Sequence, residues 1–150
     1  MKTDKKNILD IIKAAPLVSV DLVIKSPAEE VLLGKRVNHP AKGFWFVPGG
    51  IIVKNETINH AMKRISEREV GKDLSANAPH LLGVYEHIYE DNFLNVAGIN
   101  THYVVLAFVI SLKSEIEVKP DEQHSDLKWW KIDQLVEEAT VHPNTKAYFR

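Results

Sequence analysis

The sequence contains no cysteine, which excludes disulfides, thiolate metal sites and a cysteine nucleophile. It has no excess of charge either: 19 basic against 20 acidic side chains leave a formal net charge of -1. No lysine or arginine run makes a local basic field, so the chain carries no signature of nucleic-acid binding. Long apolar runs are also missing. The most continuous, around Val104–Ile110, is strand-sized and far short of a membrane span. The N-terminal apolar segment is interrupted by Asp10 and Lys13, unlike a secretory signal. There is no internal repeat and no low-complexity tract. What remains is a chain of 150 residues, 45% hydrophobic and 26% charged, the size of one domain (residues 1–150) able to bury its own core. A cytoplasmic protein without nucleic-acid or membrane partners is the expectation.

Local patterns give an order of elements. Asp4 can cap a short helix that carries Ile8, Leu9, Ile11 and Ile12 on one side and ends before Pro16. Residues 17–24 alternate as a strand, with Val18, Val20, Leu22 and Ile24 on one face and Leu17, Ser19, Asp21 and Val23 on the other. A turn over residues 26–30 leads to a hairpin partner at 31–36. The aromatic run Phe44-Trp45-Phe46-Val47 is broken by Pro48-Gly49-Gly50. From Thr57 to Val70 the period becomes helical, with Ile58, Ala61, Met62 and Ile65 in a stripe and Gly71 as the stop. Strands follow at 81–89 and 101–110, separated by a loop at 90–100 expected to be mobile. Trp129-Trp130 borders a late strand, and 132–139 reads as a helix. This order predicts an α/β (α+β) sandwich, a mixed sheet between helices.

The central helix carries the chemistry. Glu69 stands eleven residues after Ile58, about 20° from it around the helix, so it falls in the apolar stripe while Glu67 faces the opposite way. A carboxylate aimed into a core is costly unless a cation meets it. Taken alone, a buried ion pair accounts for it more readily than a metal does. Gly49-Gly50 ahead of the helix, however, let backbone approach a ligand closely, and Glu56 and Arg64 stand at fixed offsets.

Gly50, Glu56, Arg64, Glu69 and Gly71 fall in the register of the Nudix box, G-x5-E-x7-R-E-U-x-E-E-x-G-U, where U is bulky and aliphatic. The box is depleted: Ile65 and Arg68 stand where it has glutamates, Ser66 where it has an aliphatic residue, and Lys72 at its last position. A full box gathers several carboxylates around two or three divalent ions that drive water onto phosphorus. One carboxylate suits one magnesium ion, completed by substrate phosphates and waters.

In this departure the chain resembles the GDP-mannose mannosyl hydrolases. The resemblance spans nearly the whole sequence, through Pro16-Leu17-Val18-Ser19, Leu32–Arg36, Gly43–Gly50, Asp91-Asn92-Phe93, Thr101–Leu106 and Pro120-Asp121-Glu122-Gln123-His124. It implies a Nudix α/β/α sandwich, a homodimer, and a nucleotide-sugar substrate cut at sugar C1 with inversion, giving GDP and free sugar. It further implies one Mg2+ (or Mn2+) held by the Gly49 carbonyl, Glu69 and the Gln123 amide oxygen. His124 takes the role of general base, a role its near-neutral reference pKa suits. Asp21 faces the anomeric centre, where a carboxylate can stabilise developing positive charge. Arg36 and Tyr103 meet the diphosphate, and His87 orients phosphates or sugar. Without the resemblance, Asp21 reads as an exposed strand residue, and His124 and Gln123 as ordinary loop residues.

Two positions depart from that family: Ile51 replaces an arginine that assists departure of GDP, and Ile8 replaces an aromatic that packs on guanine. The expected activity is hydrolysis of GDP-mannose, with GDP-glucose second. The alternatives are a conventional Nudix pyrophosphatase attacking phosphorus and a non-catalytic domain that senses a nucleotide sugar.

Overall fold

A computed structural model describes residues 4–118 and 124–150; the side chains of His124 and Ser125 lie outside the described set. Helix α1 (Lys5–Ala14) begins at Asp4, whose carboxylate accepts from the Lys6 amide. Of its apolar residues Ile12 is buried, whereas Ile11 is about half exposed, so this helix lies on the surface rather than in the core. Strands β1 (Leu17–Lys25) and β2 (Val31–Arg36) form the expected hairpin, paired at Lys25 and Val31. They are followed by β3 (Trp45–Phe46), β4 (Gly49–Ile51), α2 (Ile58–Val70), β5 (His80–Tyr89), β6 (Thr101–Ser111) and β7 (His124–Trp130). The chain ends in α3 (Ile132–Leu135), α4 (Pro143–Lys146) and a 3-10 turn, Ala147–Phe149.

The seven strands described make one mixed sheet, ordered β3-β2-β1-β6-β5, with β4 pairing to β1 and β7 to β2 off that path. The β1–β6 pair is parallel and the other pairs are antiparallel. Alternation along β1 sends Val20, Leu22 and Ile24 to a core beneath α2, with Ala61, Met62 and Ile65. Val23 points to the other face, where Trp130, Leu135, Val141 and Tyr148 cover the sheet. Each side chain such as Ile65, with no exposed surface, contributes about 1.5–3 kcal/mol through burial. The sandwich expected from the order of elements is thus present, with β1 at its centre. No helix among the described residues is long and apolar enough to cross a membrane.

Two local expectations change, and two further segments gain detail. Pro48-Gly49-Gly50 ends β3 but does not end extended structure, because Gly49–Ile51 pair with Ser19–Asp21 of β1. The helix expected over 132–139 stops at Leu135, and the chain re-forms helix at Pro143. Ser66, an apparent misfit in an apolar slot, is wholly buried and satisfied, accepting from the Leu74 amide and donating to the Lys63 carbonyl. The segment at 90–100 is internally bonded: buried Asn92 donates to the carbonyls of Val96 and Ile99 and accepts from the amides of Leu94 and Val96.

Candidate active site

β4 is a short strand with a partner on one side only. Residues alternate between bonding to β1 and facing away from it. The Gly49 amide faces away and donates to Glu69 Oε2 at 3.0 Å. The Ile51 carbonyl, two residues on, accepts from Arg64 Nη2 at 2.8 Å. Side chains of α2 thus take the place of a further strand along this edge. Arg64 also holds Glu56, through Nε at 2.8 Å and Nη2 at 3.0 Å, and His60 Nδ1 lies 2.9 Å from the same carboxylate. Glu56 is almost fully buried, and the bonds from Arg64 hold its pKa down at about 2. Arg64 therefore orients Glu56.

Close approach requires a glycine at position 49 and leaves little room for a side chain at position 50. A Cβ on Gly49 would fall 2.3 Å from Asp21 Oδ1 and 2.8 Å from the Val20 carbonyl oxygen. One on Gly50 would fall 3.2 Å from both Arg68 Nη2 and the Ile65 side chain. The glycine ledge therefore separates Asp21 on one side of the sheet from Arg68 and Ile65 on the other. A cavity of about 330 Å³ opens around it, a size suited to a small molecule.

Asp21, Arg36, Gly49, His87 and Tyr103 all line this cavity. Arg36, at the end of β2, donates through Nε to the Pro40 carbonyl at 2.9 Å and lies over the Phe46 ring. Tyr103 packs edge-on to Tyr89, and burial raises the pKa of both hydroxyls, which remain protonated donors at neutral pH. Asp21 occupies the interior rather than an exposed strand face. Burial raises its pKa to about 6, while a hydrogen bond from Tyr148 and the charge of Arg36 oppose that rise.

Tyr148 was not anticipated from the sequence. Its hydroxyl donates to Asp21 Oδ2 at 2.5 Å and lies 3.4 Å from His87 Nε2. His87 is buried, and burial, with His142 nearby, lowers its pKa to about 4. It is therefore a neutral ring at physiological pH, better suited to a sugar hydroxyl than to pairing with phosphate charge. The C-terminal turn brings Tyr148 onto Asp21 from behind the cavity lining, which no local pattern around Tyr148 announces. Arg68 was also overlooked as a site residue. Its guanidinium lines the cavity and reaches Glu69 Oε1 at 3.3 Å.

His124 opens β7 with its backbone in register with Arg36, which sets that strand end beside the cavity; its side chain lies outside the described residues, as does all of Gln123. Glu69 is buried against the Gly49 amide. Because a residue's N–H and C=O share one side of a strand, the Gly49 carbonyl faces the same edge. One carboxylate and one carbonyl suit a single hard cation whose other ligands are substrate oxygens and water. They do not suit a multi-ion centre, and among the described residues no group of three or more histidine, aspartate or glutamate side chains is placed to hold a metal.

The comparisons agree with this architecture. Residues 15–150 match the NUDIX domain. The chain is 44% identical to the low-salt glycan biosynthesis protein Agl8 of Haloferax volcanii over 119 residues, covering 79% of this chain and 72% of that protein. It is 29% identical to an ADP-ribose pyrophosphatase of Methanocaldococcus jannaschii over 136 residues, 90% of this chain and 74% of that one. The crystal structure of a MutT NUDIX hydrolase from Burkholderia pseudomallei superposes with a TM-score of 0.71 at 26% identity, covering 89% and 95% of the two chains. Proteins of this kind are hydrolases that act on small nucleotide derivatives and generally use divalent ions such as Mg2+ or Mn2+. With its mixed sheet, glycine ledge and box helix, the chain belongs to the NUDIX hydrolase family.

Proposed function

We propose that the protein hydrolyses a nucleoside-diphosphate sugar at the sugar's anomeric carbon, with GDP-mannose the first candidate and GDP-glucose the second. The observation that carries this reading is the separation of charges across the ledge. α2 keeps Glu69 but presents Arg68 and Ile65 in place of further carboxylates. The carboxyl that lines the cavity, Asp21, stands on the opposite side, bonded to Tyr148. A depleted metal centre is poorly equipped to drive hydroxide onto phosphorus. An enclosed carboxylate fits stabilisation of an oxocarbenium-like sugar.

In this reading water attacks C1 and gives a proton to His124, while the bond from C1 to the diphosphate oxygen breaks and its electron pair leaves with GDP. Asp21 Oδ1 faces the developing positive charge, and Tyr148 holds Oδ2. Arg36 and the Tyr103 hydroxyl meet the negative charge that builds on the leaving diphosphate. Gly49, Glu69 and Gln123 would hold one magnesium ion, which when bound neutralises diphosphate charge. His87 orients the sugar as a neutral partner. The exposed apolar side chains of Leu81, Val84 and Ile88 on the outer strand β5 support a homodimer.

The likeness to a glycan biosynthesis protein fits a nucleotide-sugar substrate. The likeness to an ADP-ribose pyrophosphatase favours a second reading, attack at phosphorus. Product analysis distinguishes them. Purified protein with Mg2+ and a panel of GDP-, ADP- and UDP-sugars is expected to yield nucleoside diphosphate and free sugar. Nucleoside monophosphate and sugar phosphate would establish the second reading, and binding with no product would mark a sensor. His124→Gln is expected to lower turnover severely while substrate affinity survives; unchanged turnover would remove His124 from the base role.

A further inference from the structure

The cavity is lined by three guanidinium groups whose bonding differs. Arg64 spends Nε and Nη2 on Glu56 and the Ile51 carbonyl. Arg36 spends Nε on the Pro40 carbonyl and lies over Phe46, which fixes its plane. Among the described residues Arg68 makes one side-chain hydrogen bond, the 3.3 Å contact from Nη2 to Glu69 Oε1, and its side chain is 43% exposed. A guanidinium has five N–H donors, so the bond to Glu69 leaves others on Arg68 for a further acceptor, and Arg68 lines the cavity.

Its position is as telling as its bonding. Arg68 Nη2 lies beside Gly50, whose missing side chain leaves room for the guanidinium along the ledge. The neighbouring Ile51 brings no charge. On α2 the sequence thus places a cation directly before Glu69, at a box position that otherwise supplies an acid. An ammonium or guanidinium in that spot repels a second metal ion and attracts phosphate oxygens, and arginine's planar fork matches phosphate in a two-point contact.

We propose that Arg68 binds the substrate's diphosphate directly, as a resident cation next to the Glu69 position. The proposal rests on reading the cavity as a nucleoside-diphosphate-sugar site and adds a substrate contact to it. It also implies that diphosphate recognition survives, in part, without metal. The competing role is purely local: Arg68 would only hold Glu69 in place, and its loss would then act through metal affinity alone.

Calorimetric titration of GDP and GMP into wild type, Arg68→Ala and Arg68→Lys, each with EDTA and with Mg2+, separates the two. With EDTA, Arg68→Ala is expected to weaken GDP binding roughly 10–100-fold, as for lost charge-assisted hydrogen bonds, with GMP little changed and Arg68→Lys intermediate. Wild-type GDP affinity in Arg68→Ala under EDTA would overturn the proposal, whatever happens with Mg2+. Circular dichroism confirms that each variant is folded. Turnover of GDP-mannose by wild type is measured alongside. If wild type releases GDP and mannose while Arg68→Ala binds GDP normally, the Arg68 contact fails and the glycosyl-hydrolase reading stands. If wild type cleaves no nucleotide sugar while Arg68→Ala loses GDP affinity, the reverse holds.

Discussion

Asp21→Asn should make the protein more stable while abolishing its proposed activity. Burial raises the Asp21 pKa from 3.8 to about 6. For a carboxyl group, a folded-state pKa above the unfolded value means that the folded state disfavours the charged form. Stability is then greatest below about pH 4, falls as pH rises through the window from about 4 to 6, and stays reduced above it. The shift corresponds to about 3 kcal/mol at full ionisation, at 1.36 kcal/mol per pH unit. Water in the open cavity screens part of this, so roughly 1–3 kcal/mol is expected. Asparagine is nearly isosteric and keeps an oxygen that can accept from Tyr148, so it removes the charge with little else. Thermal unfolding at pH 8 should show a Tm gain of roughly 3–10 °C for a chain of this length, shrinking to almost nothing at pH 4. A variant less stable than wild type at pH 8, or a gain equal at both pH values, would refute the reasoning. It would mean that Asp21 is not an ionised carboxylate held at a cost for function.

Three other substitutions probe neighbouring parts of the site. Tyr148→Phe removes a donor that favours ionised Asp21, so the Asp21 titration, followed by NMR of its carboxyl carbon, should move to higher pH; an unmoved titration would dissociate Tyr148 from it. Glu56→Gln should cost roughly 1–3 kcal/mol at pH 7 by leaving part-buried Arg64 without its carboxylate. The depressed Glu56 pKa stabilises the fold above about pH 4.5 and that contribution is lost as pH falls towards 2, so urea unfolding should show the two proteins converging in acid. Gly49→Ala forces a Cβ against backbone at Val20 and against Asp21, and should cost roughly 1–3 kcal/mol with turnover lost; a fully active variant would show that the ledge can shift.

The parts of this molecule legible in the sequence are those whose signals are local. Alternation along residues 17–24 marked β1, and the helical period from Thr57 to Val70 with Gly71 as its stop marked α2, the glycine taking a positive φ of 79°. Helical periodicity put Glu69 in the apolar stripe, and it is buried with Ala61, Met62 and Ile65, although Ile58, the residue the count began from, is exposed at the helix start. β4 was illegible because two of its three residues are glycines, with no side chain to show a period; register with β1 makes it a strand. Tyr148 reaches Asp21 across 127 residues of sequence, a contact that no local pattern encodes. Asp21 itself became a candidate through resemblance, since a lone aspartate in a strand does not reveal what covers it. Arg68 was legible only as a defect in the box. What it does instead depends on the space left by Gly50, a packing fact that becomes visible in three dimensions.

The central claim is that water attacks carbon rather than phosphorus. Hydrolysis of GDP-mannose in oxygen-18 water, with mass spectrometry of both products, tests it most directly. Label is expected in the free mannose and none in GDP; label in a phosphate-containing product would mean that water attacks phosphorus.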